Sequence, residues 1–500
     1  MRRAVTAVAA ACILTAPTVL AFFSGGYFTE PRVIAAIVVW ALVLALAVTG
    51  PAPLPRSVPG RLALAGLVLM TAWSALSITW APLGGPAVQS VQRLLLYTGA
   101  LLLAIGVLRR PRTIAAVEPA LAAGATAVIA YGLSGRLLPG IVELSRSEAA
   151  GGRLEQPITY WNAEGALAAM GFVLAARLAG DRDRPAWMRA LAAAAAAPLG
   201  AGVYLSYSRG AIAAAVLGLL VLVALAPSRA QLRGAAVALA TGIGAAVCSA
   251  AFPAVAALEG ASGDRSRDGA IVLALLVVAV VTAGLVTLRW ASSDSDRLGD
   301  APRWTRRLRP VAVAAVGLAA LGLLIGGLGE KPSAADLARN ADAGRLTTVS
   351  SNRYEYWRVG IVAFEREPLT GLGSGGFRVE WLRERPIAEA VKDTHSLEVE
   401  MAAELGIVGL LALALLIGGV GAASVAALRR RPEAAAGATA AALAWFLHAS
   451  IDWDWQFPAV TLPAIVLAGT VIALQETDRV SAPARSPDRA PAPPRARVGR

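Results

Sequence analysis

Charged side chains are scarce in this chain of 500 residues. They make up 16% of it, whereas a soluble domain of ordinary composition has about 25%. Hydrophobic residues make up 57%, and long apolar runs recur from Val5 to Leu474. Each run approaches the roughly 20 residues with which a helix crosses a bilayer. This composition excludes a water-soluble enzyme and a coiled coil, and it predicts a membrane protein.

Cysteine and histidine are also rare. Cys12 and Cys248 both lie within apolar runs, so neither a disulfide framework nor a thiolate metal site is expected. No pair of His, Asp or Glu residues at tight ligand spacing lies near a cysteine or a second histidine, and we expect no metal and no cofactor. Asp452 and Asp454 beside His448 leave a weak cation site open as an alternative to helix capping.

Almost all of the 46 basic residues are arginines, and they concentrate in alternate connections between the apolar runs. Examples are Arg109-Arg110-Pro111-Arg112, the stretch 289–309 and Arg429-Arg430-Arg431. Because cytoplasmic connections are rich in arginine, we predict a multi-pass protein of the cell inner (cytoplasmic) membrane with both termini in the cytoplasm. Arg2 and Arg3 also fit a cleaved signal peptide, but an uncleaved first helix is favoured.

The basic charge does not indicate nucleic acid, because no nucleic-acid-binding motif accompanies it. The predicted partner of the arginine-rich inner side is the lipid bilayer, whose anionic headgroups attract such segments.

The hydropathy pattern predicts an all-α polytopic membrane protein with about 12–14 transmembrane helices, because helices satisfy their own backbone groups in hydrocarbon. The chain is predicted to divide into an N-terminal bundle (1–328), one long extracytoplasmic loop with amphipathic helices (329–401), C-terminal transmembrane helices (402–474) and a disordered cytoplasmic tail (475–500). The candidate spans are 4–23, 33–49, 61–80, 92–108, 113–134, 161–180, 187–206, 210–226, 233–256, 269–290, 309–328, 402–428, 434–450 and 457–474.

The long loop has a composition that favours function over disorder. Tyr354, Trp357, Ile361 and Phe364 recur at helical spacing, which predicts an amphipathic helix against the membrane surface or against the bundle. The glycine-rich run 371–376 follows no strand, so it is not a dinucleotide-binding fingerprint. We interpret it as a flexible turn that lets the backbone approach a site.

Polar side chains gather at the predicted outer ends of several spans rather than at their middles. This shared depth predicts a binding site at the outer membrane interface. The contributing residues are Arg93; Arg153, Tyr160, Asn162 and Glu164; Tyr204, Ser206, Ser208 and Arg209; Arg353; His395, Ser396, Glu398, Glu400 and Glu404; and His448, Asp452 and Asp454.

Arginine and histidine would give this site its chemistry. Arginine forks match phosphate oxygens in a two-point geometry, so Arg93, Arg209 and Arg353 together would neutralise a diphosphate. The alternative for each is snorkelling of the charge into the headgroup layer. His395 has a side chain with an ordinary pKa of about 6.5, which suits a general base. Its alternative is a structural hydrogen-bonding role.

Several short motifs occur in a recognisable order around the long loop. They are Trp80-Ala81-Pro82 with 92–97, Arg153-Leu154 with 160–163, 206–211, 352–357 with 368–373 and Phe377, His395-Ser396-Leu397 with 404–409, and Asp452-Trp453-Asp454. Together they resemble the O-antigen ligase/polymerase-like family of bacterial membrane glycosyltransferases. Ser396 departs from this pattern, since the family usually has Asn after the histidine, and the hairpin 233–290 carries no motif and is a candidate insertion.

The resemblance implies a fold like that of the C-type glycosyltransferases. It implies transfer of a glycan from a polyprenyl-diphosphate-linked donor, such as an undecaprenyl diphosphate, without a nucleotide sugar or a metal. Carried over by position, His395, Arg353 and Arg209 would be catalytic. The residues predicted to bind substrate are Arg93, Arg153, Asn162, Ser208, Tyr160, Trp357 and Glu404.

The acceptor remains open between a lipid glycan, a growing polysaccharide and a protein hydroxyl. We favour the polymerisation or attachment of an envelope polysaccharide over lipopolysaccharide ligation. Two other classes compete with the transferase. A transporter or flippase of a lipid-linked or anionic solute would be expected to carry polar groups at the membrane midplane, and a non-catalytic membrane scaffold would need no set of Arg and His.

Overall fold

The computed structural model describes residues 1–293 and 352–477, together with 310–312, 314–315 and 317–318. All regular structure in these residues is helical, and they contain no strand. Ten of their helices are long and apolar enough to cross a membrane. The predicted all-α polytopic membrane architecture is therefore confirmed.

Helices fill the first 293 residues with short connections between them. Two 3-10 turns, Ser24–Gly26 and Glu148–Ala150, interrupt the connections. The helices are α1 (Arg2–Ala21), α2 (Thr29–Thr49), α3 (Val58–Ser77), α4 (Gly84–Val107), α5 (Pro111–Leu137), α6 (Trp161–Ala179), α7 (Ala186–Leu205), α8 (Arg209–Leu225), α9 (Arg229–Ala250), α10 (Pro253–Ala256) and α11 (Ser262–Ser293).

The second described stretch holds two short helices and then three long ones. The short helices belong to the predicted extracytoplasmic loop, and a 3-10 turn at Asp454–Gln456 precedes the last helix. The helices are α12 (Arg353–Arg366), α13 (Phe377–Glu384), α14 (Leu397–Arg430), α15 (Pro432–Ala449) and α16 (Pro458–Thr477).

Every predicted span except 309–328 coincides with one of these helices, and 309–328 lies mostly outside the described residues. The ten helices of the described residues that qualify as membrane spans are nevertheless fewer than the predicted 12–14. The helix α8 is short, with 17 residues, and α6 and α15 carry polar residues at their ends. These polar ends belong to the site described below.

Helices α6 and α16 form the centre of the bundle. Every residue of α6 from Asn162 onward is buried, and so are the residues of α16 from Pro458 to Gln475. Helices α5, α7, α8 and α15 pack around α6. The helix α16 continues to Thr477, so it extends past residue 475, where the sequence predicted a disordered tail. The rest of that tail lies outside the described residues, and the four-part division of the chain remains a prediction.

Small residues let α3 and α14 approach closely, as in many membrane helix pairs. A Cβ atom on Gly66 of α3 would lie 2.5 Å from the carbonyl oxygen of Ala412. A Cβ atom on Gly419 of α14 would lie 2.5 Å from the backbone nitrogen of Ala63. In both cases the obstacle is backbone, which cannot move aside as a flexible side chain can.

The helix α14 is interrupted at Gly406, which has a φ of 63°. The interruption allows the backbone N–H of Ile407 to bond the carbonyl of Pro368 at 2.8 Å. The glycine-rich run 371–376 lies along the same stretch, since the N–H of Leu372 bonds the carbonyl of Ala403 at 2.9 Å. The run is thus fixed against α14 by backbone hydrogen bonds, which its positive-φ glycines make geometrically accessible.

The amphipathic helix predicted in the loop exists as α12, but its buried face differs from the predicted one. Tyr356, Val359, Gly360 and Ala363 are the buried residues, and α12 packs through this face on α14. The predicted stripe lies on other faces, where Ile361 is 48% exposed. The helix therefore lies against the bundle, and small residues rather than the aromatic stripe determine the contact.

The close approach of α3 and α14 predicts opposite effects at two adjacent glycines. Gly418 has open space where a Cβ would be, so Gly418→Ala should stabilise the helix by up to about 1 kcal/mol. Gly419→Ala should destabilise by about 1–3 kcal/mol through overpacking. Thermal-unfolding midpoints of the two purified variants in one detergent test this. Equal midpoints would show that the helices do not pack as described.

Candidate active site

The carboxylate of Asp452 is the centre of a buried polar cluster. It lies between α15 and α16 with 1% of its surface exposed. The hydroxyl of Tyr160 donates to its Oδ1 at 2.7 Å, and the side-chain amide of Asn162 donates to its Oδ2 at 2.7 Å. The guanidinium of Arg353 forms an ion pair with Oδ2. Three segments that are far apart in sequence therefore meet on one carboxylate.

The charges in this cluster stabilise one another. Burial by itself raises the pKa of Asp452, but Arg353 and then His395 lower it, and the net pKa lies below the ordinary value. Burial by itself lowers the pKa of Arg353, but Asp452, together with smaller effects of Tyr160, Tyr356 and Asp454, raises it above the ordinary value. The pair is therefore ionised at neutral pH. Burial and then Asp452 raise the pKa of Tyr160 well above its ordinary value, so its hydroxyl remains a donor.

His395 lies beside this pair and presents one ring nitrogen to the site. Its Nδ1 is 3.1 Å from the carbonyl oxygen of Asp393. A carbonyl can only accept, so Nδ1 carries the proton and Nε2 holds the lone pair. Burial lowers the pKa of His395 below its ordinary value, against the raising effect of Asp452. A neutral imidazole with its Nε2 available as an acceptor is the form that a general base requires.

Arg209 joins the cluster at the start of α8. It interacts electrostatically with Arg353 and with Tyr354, so two guanidinium groups lie near each other. The preceding residue, Ser208, caps α8, because its Oγ accepts from the N–H of Ala211 at 3.2 Å. This cap fixes the backbone from which the Arg209 side chain leaves the helix.

A second histidine supports that cap. Nε2 of His448 lies 3.3 Å from the Oγ of Ser208, and its Nδ1 lies 2.5 Å from Oδ2 of Asp454. Both Asp454 and His448 are at most 1% exposed. Burial raises the pKa of Asp454, and His448 lowers it in part. The chain Ser208–His448–Asp454 thus connects the start of α8 to the segment that carries Asp452.

Arg93 lies in a neighbouring buried cluster. Its Nη2 is 3.9 Å from Oε1 of Glu400, and the amide of Gln456 donates to that same oxygen at 2.8 Å. The same amide also contacts the carboxylate of Asp393 at 3.0 Å. Asp393 in turn holds His395 through its carbonyl, so Arg93 connects to the histidine through shared partners.

The other predicted substrate-binding residues lie around these clusters. The guanidinium of Arg153 lies 4.4 Å from the centre of the Trp161 ring, next to Tyr160. Trp357 packs with the small apolar cluster of α12 and α13. Glu404 accepts from the backbone N–H of Gly375 at 2.6 Å and from that of Phe377 at 3.2 Å, so it anchors the glycine-rich run. No contact of Glu404 with the Asp452 cluster is present among the described residues.

Three of the polar segments each contain one residue with a strained backbone conformation. Thr159, Tyr207 and His395 have φ values of 67°, 48° and 56°, which lie in the left-handed region that residues with a Cβ seldom adopt. Each stands within two residues of a side chain in the cluster. Such outliers concentrate where the surrounding structure fixes a functional geometry.

Four residues of these clusters were not among the predicted catalytic or substrate-binding residues. Asp452, Asp454 and His448 were predicted to lie at the outer interface, with a weak cation site or helix capping as their roles, and Gln456 was not noted. The described residues contain no group of three His, Cys, Asp or Glu side chains that could hold a metal ion. No signal in the sequence singles out Asp452 as the partner of Arg353, because the predicted interface also contains Glu164, Glu398, Glu400, Glu404 and Asp454.

A family model described as O-antigen ligase matches residues 263–414. The match covers less than a third of the chain, and over these residues the chain is similar to that family. The matched region contains Arg353 and His395, while Arg209 and Asp452 lie outside it. It also contains the second half of the hairpin 233–290, so that half is not the insertion that we expected. No curated protein matches the chain.

The strained backbone at His395 predicts an unusual order of stability. His395→Gly should be more stable than His395→Ala by about 1 kcal/mol, because only glycine adopts a positive φ without strain. Both variants lose the imidazole, so their difference reports the backbone alone. At Arg358, an exposed position within α12, alanine should be the more stable of the two. Thermal unfolding of the four variants measures both differences, and the same order at both positions would contradict the strain.

Proposed function

We propose that this O-antigen ligase/polymerase-type membrane enzyme transfers a glycan from a polyprenyl-diphosphate-linked donor to a hydroxyl of an envelope acceptor. The reaction would take place at the outer face of the cytoplasmic membrane and without a metal. The observation that carries the proposal is the meeting of Arg353, Arg209 and His395 around Asp452 at one end of the bundle.

The two arginines suit a diphosphate leaving group. A guanidinium has donors on two edges, so Arg353 can keep its pair with Asp452 and still direct N–H groups to a phosphate. Arg209 adds a second positive charge close by. Charge that develops on the leaving diphosphate would be stabilised by groups that are already oriented, which is the largest contribution in many enzymes.

The imidazole of His395 suits the acceptor side of the reaction. Its Nε2 would take the proton of the acceptor hydroxyl while that oxygen forms a bond to the anomeric carbon. The bond between the anomeric carbon and the diphosphate oxygen breaks, and its electron pair leaves with the lipid diphosphate. The carbonyl of Asp393 keeps the ring in the required tautomer throughout.

An apolar cleft supports a donor with a lipid tail. A cavity of about 530 Å³ lies between α8, α14, α15 and α16 and is lined almost wholly by apolar side chains. It extends from Leu428 at one end to Trp455 at the other, and Trp455 is the neighbour of Asp454. A hydrocarbon chain in this cleft would therefore begin beside the polar cluster.

The proposal leaves three classes of acceptor open, which are a glycan, a lipid and a protein.

Single substitutions test the proposed roles. Arg353→Ala, Arg209→Ala and His395→Ala should each reduce transfer from a purified polyprenyl-diphosphate donor in nanodiscs by about 100-fold or more, the effect of removing one charge-stabilising or proton-accepting group. Arg358→Ala is the matched control, because Arg358 lies on the same helix as Arg353 with 57% of its side chain exposed. Full activity in all three site variants would eliminate the proposed site.

The pKa of His395 predicts the pH dependence of transfer. Because burial lowers that pKa, the ring should be neutral at pH 7 and the rate should fall only as the pH drops below about 6.5. The residual activity of His395→Gln should lack this acid limb, since glutamine does not titrate. A pH profile of kcat/KM for both proteins measures the effect. An unchanged acid limb in the variant would assign the proton transfer to another group.

A further inference from the structure

A second charged site lies at the opposite end of the bundle from Asp452. Here α1 begins, α2 and α4 end, and α5 begins. Their ends enclose a cavity of about 50 Å³ whose charged lining residues are Arg2, Arg109 and Arg110. We call it the basic pocket. Gly50 and Pro51 provide part of its backbone wall.

The basic pocket has an excess of positive charge. None of its three guanidinium groups has a carboxylate partner among the described residues. The acidic side chain that acts electrostatically on Arg109 is Glu476. Its Oε1 already accepts hydrogen bonds of 2.8 Å from the backbone N–H groups of Arg56 and Ser57. Burial lowers the pKa of Arg109, and among its charged neighbours Arg56 lowers it most. Like charges thus crowd this pocket, and Glu476 offsets them only in part.

Local structure holds two of the arginines in place. Nη2 of Arg109 donates to the carbonyls of Ala52 at 2.8 Å and Leu54 at 3.1 Å. A Cβ atom at Gly50 would lie 2.8 Å from Nε of Arg2, so the glycine lets the Arg2 side chain fold over the connection. The start of α5 adds partial positive charge, because its cap residue, Arg110, makes no side-chain capping bond. The pocket is therefore built for an anion.

The surroundings of the pocket identify the kind of anion. The helices that form it are candidate membrane spans, so the pocket lies at the level of lipid headgroups. Next to Gly50, the outward face of α2 exposes Val48 (75%) and Leu44 (64%). A phosphate in the pocket would therefore have an apolar surface beside it for acyl chains. Basic pockets between spanning helices favour anionic headgroups in this way.

We propose that the basic pocket binds the phosphate headgroup of an anionic phospholipid from the leaflet opposite the candidate active site. Arg109 and Arg110 would bind the phosphate oxygens, Arg2 would close over them, and the acyl chains would lie along α2. This site is separate from the proposed transfer reaction and does not depend on it.

The test uses the full-length protein in detergent with phosphatidylglycerol as the probe. Arg2→Gln/Arg109→Gln/Arg110→Gln should weaken phosphatidylglycerol binding, measured by native mass spectrometry of bound lipid, at least about tenfold. The control is Arg3→Gln/Arg61→Gln/Arg112→Gln, which removes three exposed arginines from the same end of the bundle and should bind like the parent.

Three results would overturn the proposal. They are equal losses in both triple variants, equal binding of phosphatidylglycerol and phosphatidylcholine by the parent, and displacement of the lipid by inorganic phosphate at equal concentration. The last would identify a site for free phosphate. If the Arg109 variant does not fold, because Arg109 bonds two carbonyls, Arg110→Gln alone should still raise the apparent Kd for phosphatidylglycerol. An unchanged Kd in that variant would also contradict the proposal.

Discussion

The ion pair between the buried carboxylate of Asp452 and the partly buried guanidinium of Arg353 is the constraint on which the candidate active site depends. Removing the arginine would leave the buried carboxylate without its counter-charge, and an unpaired buried charge costs up to about 3–5 kcal/mol. The pair therefore binds α12, which belongs to the long loop, to the connection between α15 and α16. Tyr160 and Asn162 donate hydrogen bonds to the same carboxylate. They bring the start of the central helix α6 to this point. Loop and bundle are thus positioned by one side chain.

Because buried polar groups need hydrogen-bond partners, the neighbouring polar groups form chains of hydrogen bonds rather than isolated contacts. His448 uses both ring nitrogens, one toward Asp454 and one toward Ser208. Gln456 likewise contacts two carboxylates with one amide. Burying a polar group is costly unless it is hydrogen-bonded, and a side chain with two polar atoms can serve two partners at once. Each chain crosses between helices, so satisfying the polar groups also fixes how the helix ends are arranged around the site.

Sequence reasoning predicted the helices well because hydropathy is a local signal. A run such as 457–474 predicts α16 without knowledge of its neighbours, and the grouping of polar residues at helix ends indicated where a site would form. Pair formation is not local. Nothing in the spacing shows that Arg353 pairs with Asp452, 99 positions away. The buried face of α12 was also missed, because the small residues Gly360 and Ala363 permit a close approach that aromatic periodicity does not reveal.

The pairing of Arg353 also bears on how a diphosphate site could work. An arginine with no fixed partner would have to lose side-chain freedom when substrate binds, whereas Arg353 is already oriented by Asp452. The carboxylate also offsets part of its charge, so the site would not hold the diphosphate product as tightly as an isolated arginine pair would. The arrangement favours groups that are oriented before the reaction over groups that bind the ground state strongly. This is the condition under which electrostatic interactions accelerate a reaction rather than only bind its substrate.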